Sequence, residues 1–147
     1  MMHSITFLPA TESDLDRIDL CRSTIDDLVK SDLYDLQSAR IQAKKETDHL
    51  LKQPGVTCML CFEEEEEVGH VLVDVSKTQL SIISLEVYEE FRGQGFGKSI
   101  LMAVEQLAVE QDVNRISLSV SPWNTRALKL YKNSGFRELF VRMEKRL

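Results

Sequence analysis

Glycines at 93, 95 and 97, set between Arg92 and Lys98-Ser99, are the residues whose type and spacing point most directly to chemistry. Lacking a Cβ, they let a backbone turn tightly and approach a ligand closely. The run is preceded by Leu85-Glu86-Val87, which alternates like a strand, and followed from Phe96 by helix-spaced apolar residues. N–H groups at the start of such a helix point outward with the positive dipole end behind them, which suits a phosphate or pyrophosphate. Two nucleotide loops can be tested against it. A Walker loop needs G-x-x-x-x-G-K-[ST]; Gly97-Lys98-Ser99 supplies the end, but the first glycine position holds Arg92. A dinucleotide fingerprint needs G-x-G-x-x-G, whereas this loop reads G-x-G-x-G. Neither fits.

A second cluster lies 32 residues beyond Arg92: Asn124-Thr125-Arg126-Ala127-Leu128-Lys129-Leu130-Tyr131, then Gly135-Phe136. With Arg92-Gly93-Gln94-Gly95-Phe96-Gly97, it resembles the paired signatures of the GNAT acetyltransferase superfamily, R/Q-x-x-G-x-G/A and N-x-x-A-x-x-L-Y…GF. The resemblance covers residues 68 to 138 best. One position departs: many members carry a proline where this chain has Glu89. That proline shapes the approach to the loop and supplies no chemical group.

The resemblance implies an N-acetyltransferase using acetyl-coenzyme A as co-substrate and no metal. Backbone N–H groups across Gly93, Gln94, Gly95, Phe96, Gly97, Lys98 and Ser99 are expected to grip pyrophosphate beside Arg92. The pantetheine arm is expected along Leu85 to Val87, as an added strand would lie, with the Val87 N–H as oxyanion donor. Tyr131 is the candidate general acid for the departing thiolate, and Asn124 both caps its helix and contacts ligand. The attacking amine must also lose a proton, since an alkylammonium has a pKa near 10.4. Alternation puts Glu86 on the sheet face opposite Leu85 and Val87, so its carboxylate is a candidate base, with His70 and Asp74 on the neighbouring strand as rivals. The acceptor is a small-molecule or peptide amine. In this family its choice usually rests with the first two helices, here about Ile25 to Arg40, where Asp26, Asp27, Asp32 and Asp35 serve as surface charges or attract a cation. Trp123 is read first as a partly buried anchor. A non-catalytic coenzyme A-binding domain and a donor larger than acetyl stay open, as does a homodimer, a state common among proteins resembling this one.

The elements that must hold these groups follow from pattern. Ile5–Leu8 reads as a strand. Thr11 and Asp14 cap a helix with Leu15, Ile18, Ile25 and Leu28 at helical spacing, and a second helix is expected from about Leu33 to Leu51. Val56–Phe62, Val68–Val75 and Leu80–Val87 form an antiparallel meander, with the glutamates at 63–67 as an exposed connection. Phe96, Ile100, Leu101, Val104, Leu107 and Ala108 stripe one helix. Arg115–Val120 is a strand, Asn124 caps a short helix ended by Gly135, and Phe136–Met143 reads as a last strand or pair of strands. The fold class is α/β: a mixed, largely antiparallel central sheet with helices on both faces, in a single domain over residues 1–147.

Composition sets the outer limits. Of 147 residues, 43% are hydrophobic and 29% charged, a globular balance. Twenty-four acidic against eighteen basic residues give −6, which disfavours nucleic acid, a ligand that needs a concentrated basic face. No stretch approaches the roughly 18 apolar residues of a membrane helix, and residues 1–14 show no signal-peptide pattern; a cytoplasmic protein is expected. Cys58-Met59-Leu60-Cys61 matches C-x-x-C, but in a strand positions i and i+3 face opposite ways, so the two thiols cannot share a metal.

Overall fold

A computed structural model describes residues 2–147. Five strands form one sheet in sequence order: β1 (Thr6–Pro9), β2 (Val56–Glu63), β3 (Glu66–Val75), β4 (Leu80–Val87) and β5 (Ile116–Leu118). The first four run antiparallel, and β5 lies parallel to β4. Only Glu64 and Glu65 of the glutamate run make the β2–β3 turn, where an exposed connection over 63–67 was expected: Glu63 pairs with Glu66, Glu64 takes a positive φ of 54°, and Glu63 and Glu67 are half-buried strand residues.

The strands are buried on both faces because helices cover each. Helix α4 (Phe96–Glu110) and α5 (Thr125–Asn133) pack on one side. There Phe96, Ile100, Leu101 and Val104 join Met59, Cys61, Val71 and Val73 in the main core, with Leu130 and Tyr131 at its margin. The other face carries a smaller cluster of Leu20, Cys58 and Leu72, closed over by Leu15, Ile18 and Leu51. Cys58 and Cys61 therefore fall in different layers, as strand alternation requires.

Three further expectations are corrected. The single capped helix from Thr11 is two: α1 (Glu12–Arg17) and α2 (Arg22–Lys30). The Thr11–Asp14 capping box forms, but Ile18 is extended (φ −94°, ψ 132°) and ends the first piece. In one continuous helix residues 18 and 20 would point about 200° apart; in extended chain they share a side, which lets Ile18 and Leu20 both reach the smaller core. The following helix, α3 (Leu36–Leu51), starts three residues late because Asp35 caps it, accepting from the Ser38 N–H at 2.8 Å. Finally, Phe136–Met143 is not a strand. After Phe136 no backbone hydrogen bond joins residues 137–147 to another described segment. A strand needs a ladder partner, and within this chain the segment meets none.

Candidate active site

The ladder between β4 and β5 stops at Ile82↔Leu118, while β4 runs on to Val87. The two strands thus pair at one end and part at the other. The Tyr88 N–H donates to the Val68 carbonyl at 2.9 Å. By the alternation of an antiparallel ladder, the backbone groups of Leu85 and Val87 then face away from β3, into the opening.

At the end of that opening sits the glycine loop. Gly93 and Gly95 take φ of 75° and 86°, left-handed values that a side chain would strain. Gly95 caps α4 without any side-chain bond, and the first helical bond into its body runs from the Ser99 N–H to the Gly95 carbonyl at 3.2 Å. The six N–H groups from Gly93 to Lys98 have no hydrogen-bond partner among the described residues. Such a row of donors at a helix start is an anion cradle. The Ser99 N–H is outside it, and the buried Ser99 hydroxyl donates back to the Gly95 carbonyl at 3.2 Å. Arg92 ties the loop to the strand, its Nε donating to the Val87 carbonyl at 2.9 Å.

His3, which sequence reasoning missed, braces the loop from behind. Its ring stacks on Phe96 with centroids 3.8 Å apart, its Nε2 donates to the Gln94 carbonyl at 2.7 Å, and its Nδ1 lies 2.6 Å from Glu63 Oε2. Its N–H donates to the Ser99 hydroxyl at 3.1 Å. A lone histidine before a first strand carries no signal of such a task; only the folded sheet brings residue 3 to residue 94.

On the α1–α3 face, Glu86 pairs across the ladder with His70 and shares its side with Tyr88. Glu86 Oε2 lies 3.5 Å from His70 Nε2, while Oε1 lies 3.7 Å from Arg92 and 3.9 Å from Arg22. The His70 side chain is 2% exposed, and burial pushes its pKa below the usual 6.5, so it is held neutral. The Tyr88 hydroxyl donates to Glu67 Oε2 at 2.6 Å. Toward His70 Nδ1, 3.4 Å away, it can then only accept. This assigns the ring hydrogen to Nδ1 and leaves the Nε2 lone pair, with no hydrogen-bond partner, facing the Glu86 carboxylate. Two acceptors face each other across that gap. Arg17 completes the chain, held by Glu67 and Asp14; its guanidinium keeps the Glu67 carboxyl below its usual range. Asp74 lies four residues along β3 at its Val75 end, opposite Ser81, and takes no part in this cluster.

Tyr131 is half-buried on α5 against the main core, edge-on to Phe136 with centroids 5.8 Å apart, and burial raises its pKa. Asn124 caps α5, accepting from the Ala127 N–H at 3.2 Å. A Cβ on Gly97 would stand 3.1 Å from Leu130 and 4.0 Å from Val87, so α5, the loop and the end of β4 converge there. Trp123 is exposed, at 40%, where a partly buried anchor was expected; its Nε1 donates to Asp27 Oδ1 at 3.1 Å, joining α2 to the start of α5. A cavity of about 340 Å³ lies beside it, lined by Asp26, Asp27, Lys30, Trp123, Asn124 and Arg126. Asp32, at φ 61°, and Asp35, the α3 cap, serve the backbone. Among the described residues there is no cluster of three or more potential metal ligands, and no helix is long and apolar enough to cross a membrane.

The sheet thus parts beside a row of free N–H groups suited to an anion, and comparison with known proteins gives this arrangement a family. The sequence profile of the Acetyltransferase (GNAT) family matches residues 22–136, and the chain belongs to that family. It is similar to the uncharacterised N-acetyltransferase YycN of Bacillus subtilis, 34% identical over 92 residues, 60% of this chain and 59% of that protein. It also resembles the thialysine N-epsilon-acetyltransferase of Bos taurus, 40% identical over 53 residues, 36% of this chain and 31% of that protein. These aligned stretches span less than two thirds of the relatives' own length. The crystal structure of YycN superposes with a TM-score of 0.85 at 27% identity, over 98% of this chain and 99% of that one. A GNAT family acetyltransferase from Elizabethkingia anophelis with acetyl-CoA bound shares the fold, with a TM-score of 0.63 at 21% identity over 91% of this chain and 76% of that one.

Proposed function

We propose that this protein transfers an acetyl group from acetyl-coenzyme A to a primary amine of a small molecule or peptide. One observation carries the reading: six unpartnered N–H groups stand at the mouth of the β4–β5 opening. The donor supplies an activated acetyl carbonyl, and this chain's residues hold and orient it. Gly93 to Lys98 bind its pyrophosphate, with Arg92 fixing the loop against β4. The backbone of Leu85 and Val87 accepts the pantetheine arm as an added strand beside the Arg92–Val87 carbonyl bond, and the Val87 N–H faces the acetyl carbonyl oxygen.

Glu86 takes the proton that the amine must lose. His70 supports this role, because its unpartnered Nε2 stabilises a proton delivered into the gap between them. Tyr131 holds a proton at its hydroxyl for the departing thiolate, and its raised pKa keeps it protonated at neutral pH. Asp26, Asp27 and the Trp123 ring in the nearby cavity support a cationic acceptor, with Lys30 and Arg126 on the same lining to meet an acidic group. The bovine relative, by name, acts on the side-chain amine of thialysine, in keeping with that chemistry.

Calorimetric titration of acetyl-coenzyme A tests the reading. Micromolar binding is expected for the wild type and none for Gly95→Glu, whose side chain enters a left-handed position in the cradle. Thiol release with a panel of amines follows. Binding without thiol release from any amine would assign a coenzyme A-binding domain without turnover; no binding to the wild type would sink the proposal.

A further inference from the structure

Arg22, the first residue of α2, reaches across to β4. Its Nη1 stands 3.9 Å from Glu86 Oε1, and Arg92 Nη2 stands 3.7 Å from the same oxygen. Both gaps are too long for hydrogen bonds. The Arg22 side chain makes no hydrogen bond among the described residues, and Arg92 spends only its Nε, on the Val87 carbonyl. With side chains 60% and 40% exposed, the two arginines present free N–H forks to whatever approaches Glu86.

The charges around that carboxylate do not cancel. Two guanidiniums meet one carboxylate, and the neighbouring His70 is held neutral. The other acids nearby are committed: Glu67 to Arg17 and the Tyr88 hydroxyl, Asp19 to the Cys21 N–H. A bare ammonium coming to Glu86 is attracted by one charge and repelled by two. An acceptor that brings a carboxylate beside its amine reverses the balance, since its anion faces the forks while its ammonium faces Glu86. Because both forks approach one oxygen, a single bound carboxylate can reach them both.

We propose that the acceptor is a free α-amino acid, acetylated on its α-amine, with its carboxylate held between Arg22 and Arg92. The proposal rests on acetyl transfer at Glu86 and narrows the acceptor from amines in general. In an α-amino acid the carboxylate stands one carbon from the amine, which suits forks 3.7 and 3.9 Å from the group that takes the amine's proton. A peptide N-terminus has that carboxyl tied up as an amide, and a polyamine offers a further positive charge in its place; both are poorer acceptors. Asp26 is four residues on from Arg22 and so on the same face of α2, where its cavity meets the amino acid's side chain and not the reacting amine. In the reaction Glu86 takes the ammonium's first proton, and the freed nitrogen bonds the acetyl carbon as the carbon–sulfur bond breaks. Tyr131 gives its proton to the departing thiolate, and the proton shed by the new amide replaces it.

Thiol release by the full chain with acetyl-coenzyme A tests this. The probes are the common α-amino acids, their α-amides and the matching decarboxylated amines. For the best amino acid, KM is expected to be about tenfold lower than for its amide, as for one charged hydrogen bond gained, with the acetyl group on the α-amine by mass spectrometry. The amide's amine gives up its proton more readily, so deprotonation cannot produce that preference. Arg22→Gln is expected to erase the difference by raising KM for the free acid. Calorimetry with acetyl-coenzyme A establishes that the variant is folded; if it is not, the wild-type series decides. Acetylation without preference for the free acid, a preference that survives Arg22→Gln, or acetylation on a side-chain amine overturns this proposal and leaves acetyl transfer standing. No thiol release from any probe overturns both.

Discussion

Glu86 and His70 form a pair whose chemistry depends on which of the two holds a proton. Removing the carboxylate leaves the amine to lose its own proton to water. Glu86→Gln is therefore expected to lower kcat at pH 7 by about 10²-fold, the usual worth of a general base. The deficit should shrink as pH rises toward the amine's own pKa near 10.4; a pH–rate profile checks this, and a deficit constant with pH removes Glu86 from the role. His70 makes a separate prediction about stability. Its pKa is below 6.5 in the folded chain, so the unfolded chain binds the proton more readily. The stabilisation is complete above about pH 6.5 and is lost as pH falls through the lower folded value. The melting temperature should decline below pH 6.5, and His70→Gln should flatten that part of the decline. Period-two alternation alone put Glu86 on the correct face. It could not say which of Glu86, His70 and Asp74 lie together, because that rests on cross-strand register, which joins His70 to Glu86 and sends Asp74 to Ser81.

At the scale of elements, the proposed reaction rests on the placement of the glycine loop and α5. The loop is stiffened by His3 from behind, through a ring bond to the Gln94 carbonyl and a stack on Phe96. His3→Ala is expected to weaken acetyl-coenzyme A binding by about tenfold, as for one strong hydrogen bond lost, with kcat at saturation little changed. Calorimetry beside steady-state kinetics separates the two; equal affinity would show that the loop holds its shape unaided. Helix α5 is nine residues long and depends on its cap. Asn124→Ala should cost about 1 kcal/mol of stability, read from denaturant melts, and should reduce kcat by loosening Tyr131. Most elements were legible because their apolar periods are strong and their caps conventional. The break between α1 and α2 was not: Ile18 and Leu20 fit a helical stripe loosely, and only the need to bury both against Cys58 and Leu72 straightens the chain between them.

For the whole molecule, a sheet buried between two helical layers follows from strands that are apolar on both faces, and the sequence shows that plainly. The missing last strand was harder to foresee. Residues 136–143 have the composition of a strand, but composition does not say which edge will receive it, and none within the chain does. The two hydrophobic clusters differ in size: thirteen buried residues in the one on the α4–α5 side and three in the one on the other. Cys58 belongs to the smaller cluster and Cys61 to the larger one, with burial pushing their thiols up to about 11 and 12, so neither offers a thiolate while its layer is closed. The strand that could not chelate a metal thereby carries two clocks, one on each side of the same sheet. In a timed alkylation at moderate denaturant, Cys58 should react ahead of Cys61 if the α1–α3 layer lifts first. Matched rates would show that the protein opens only as one piece.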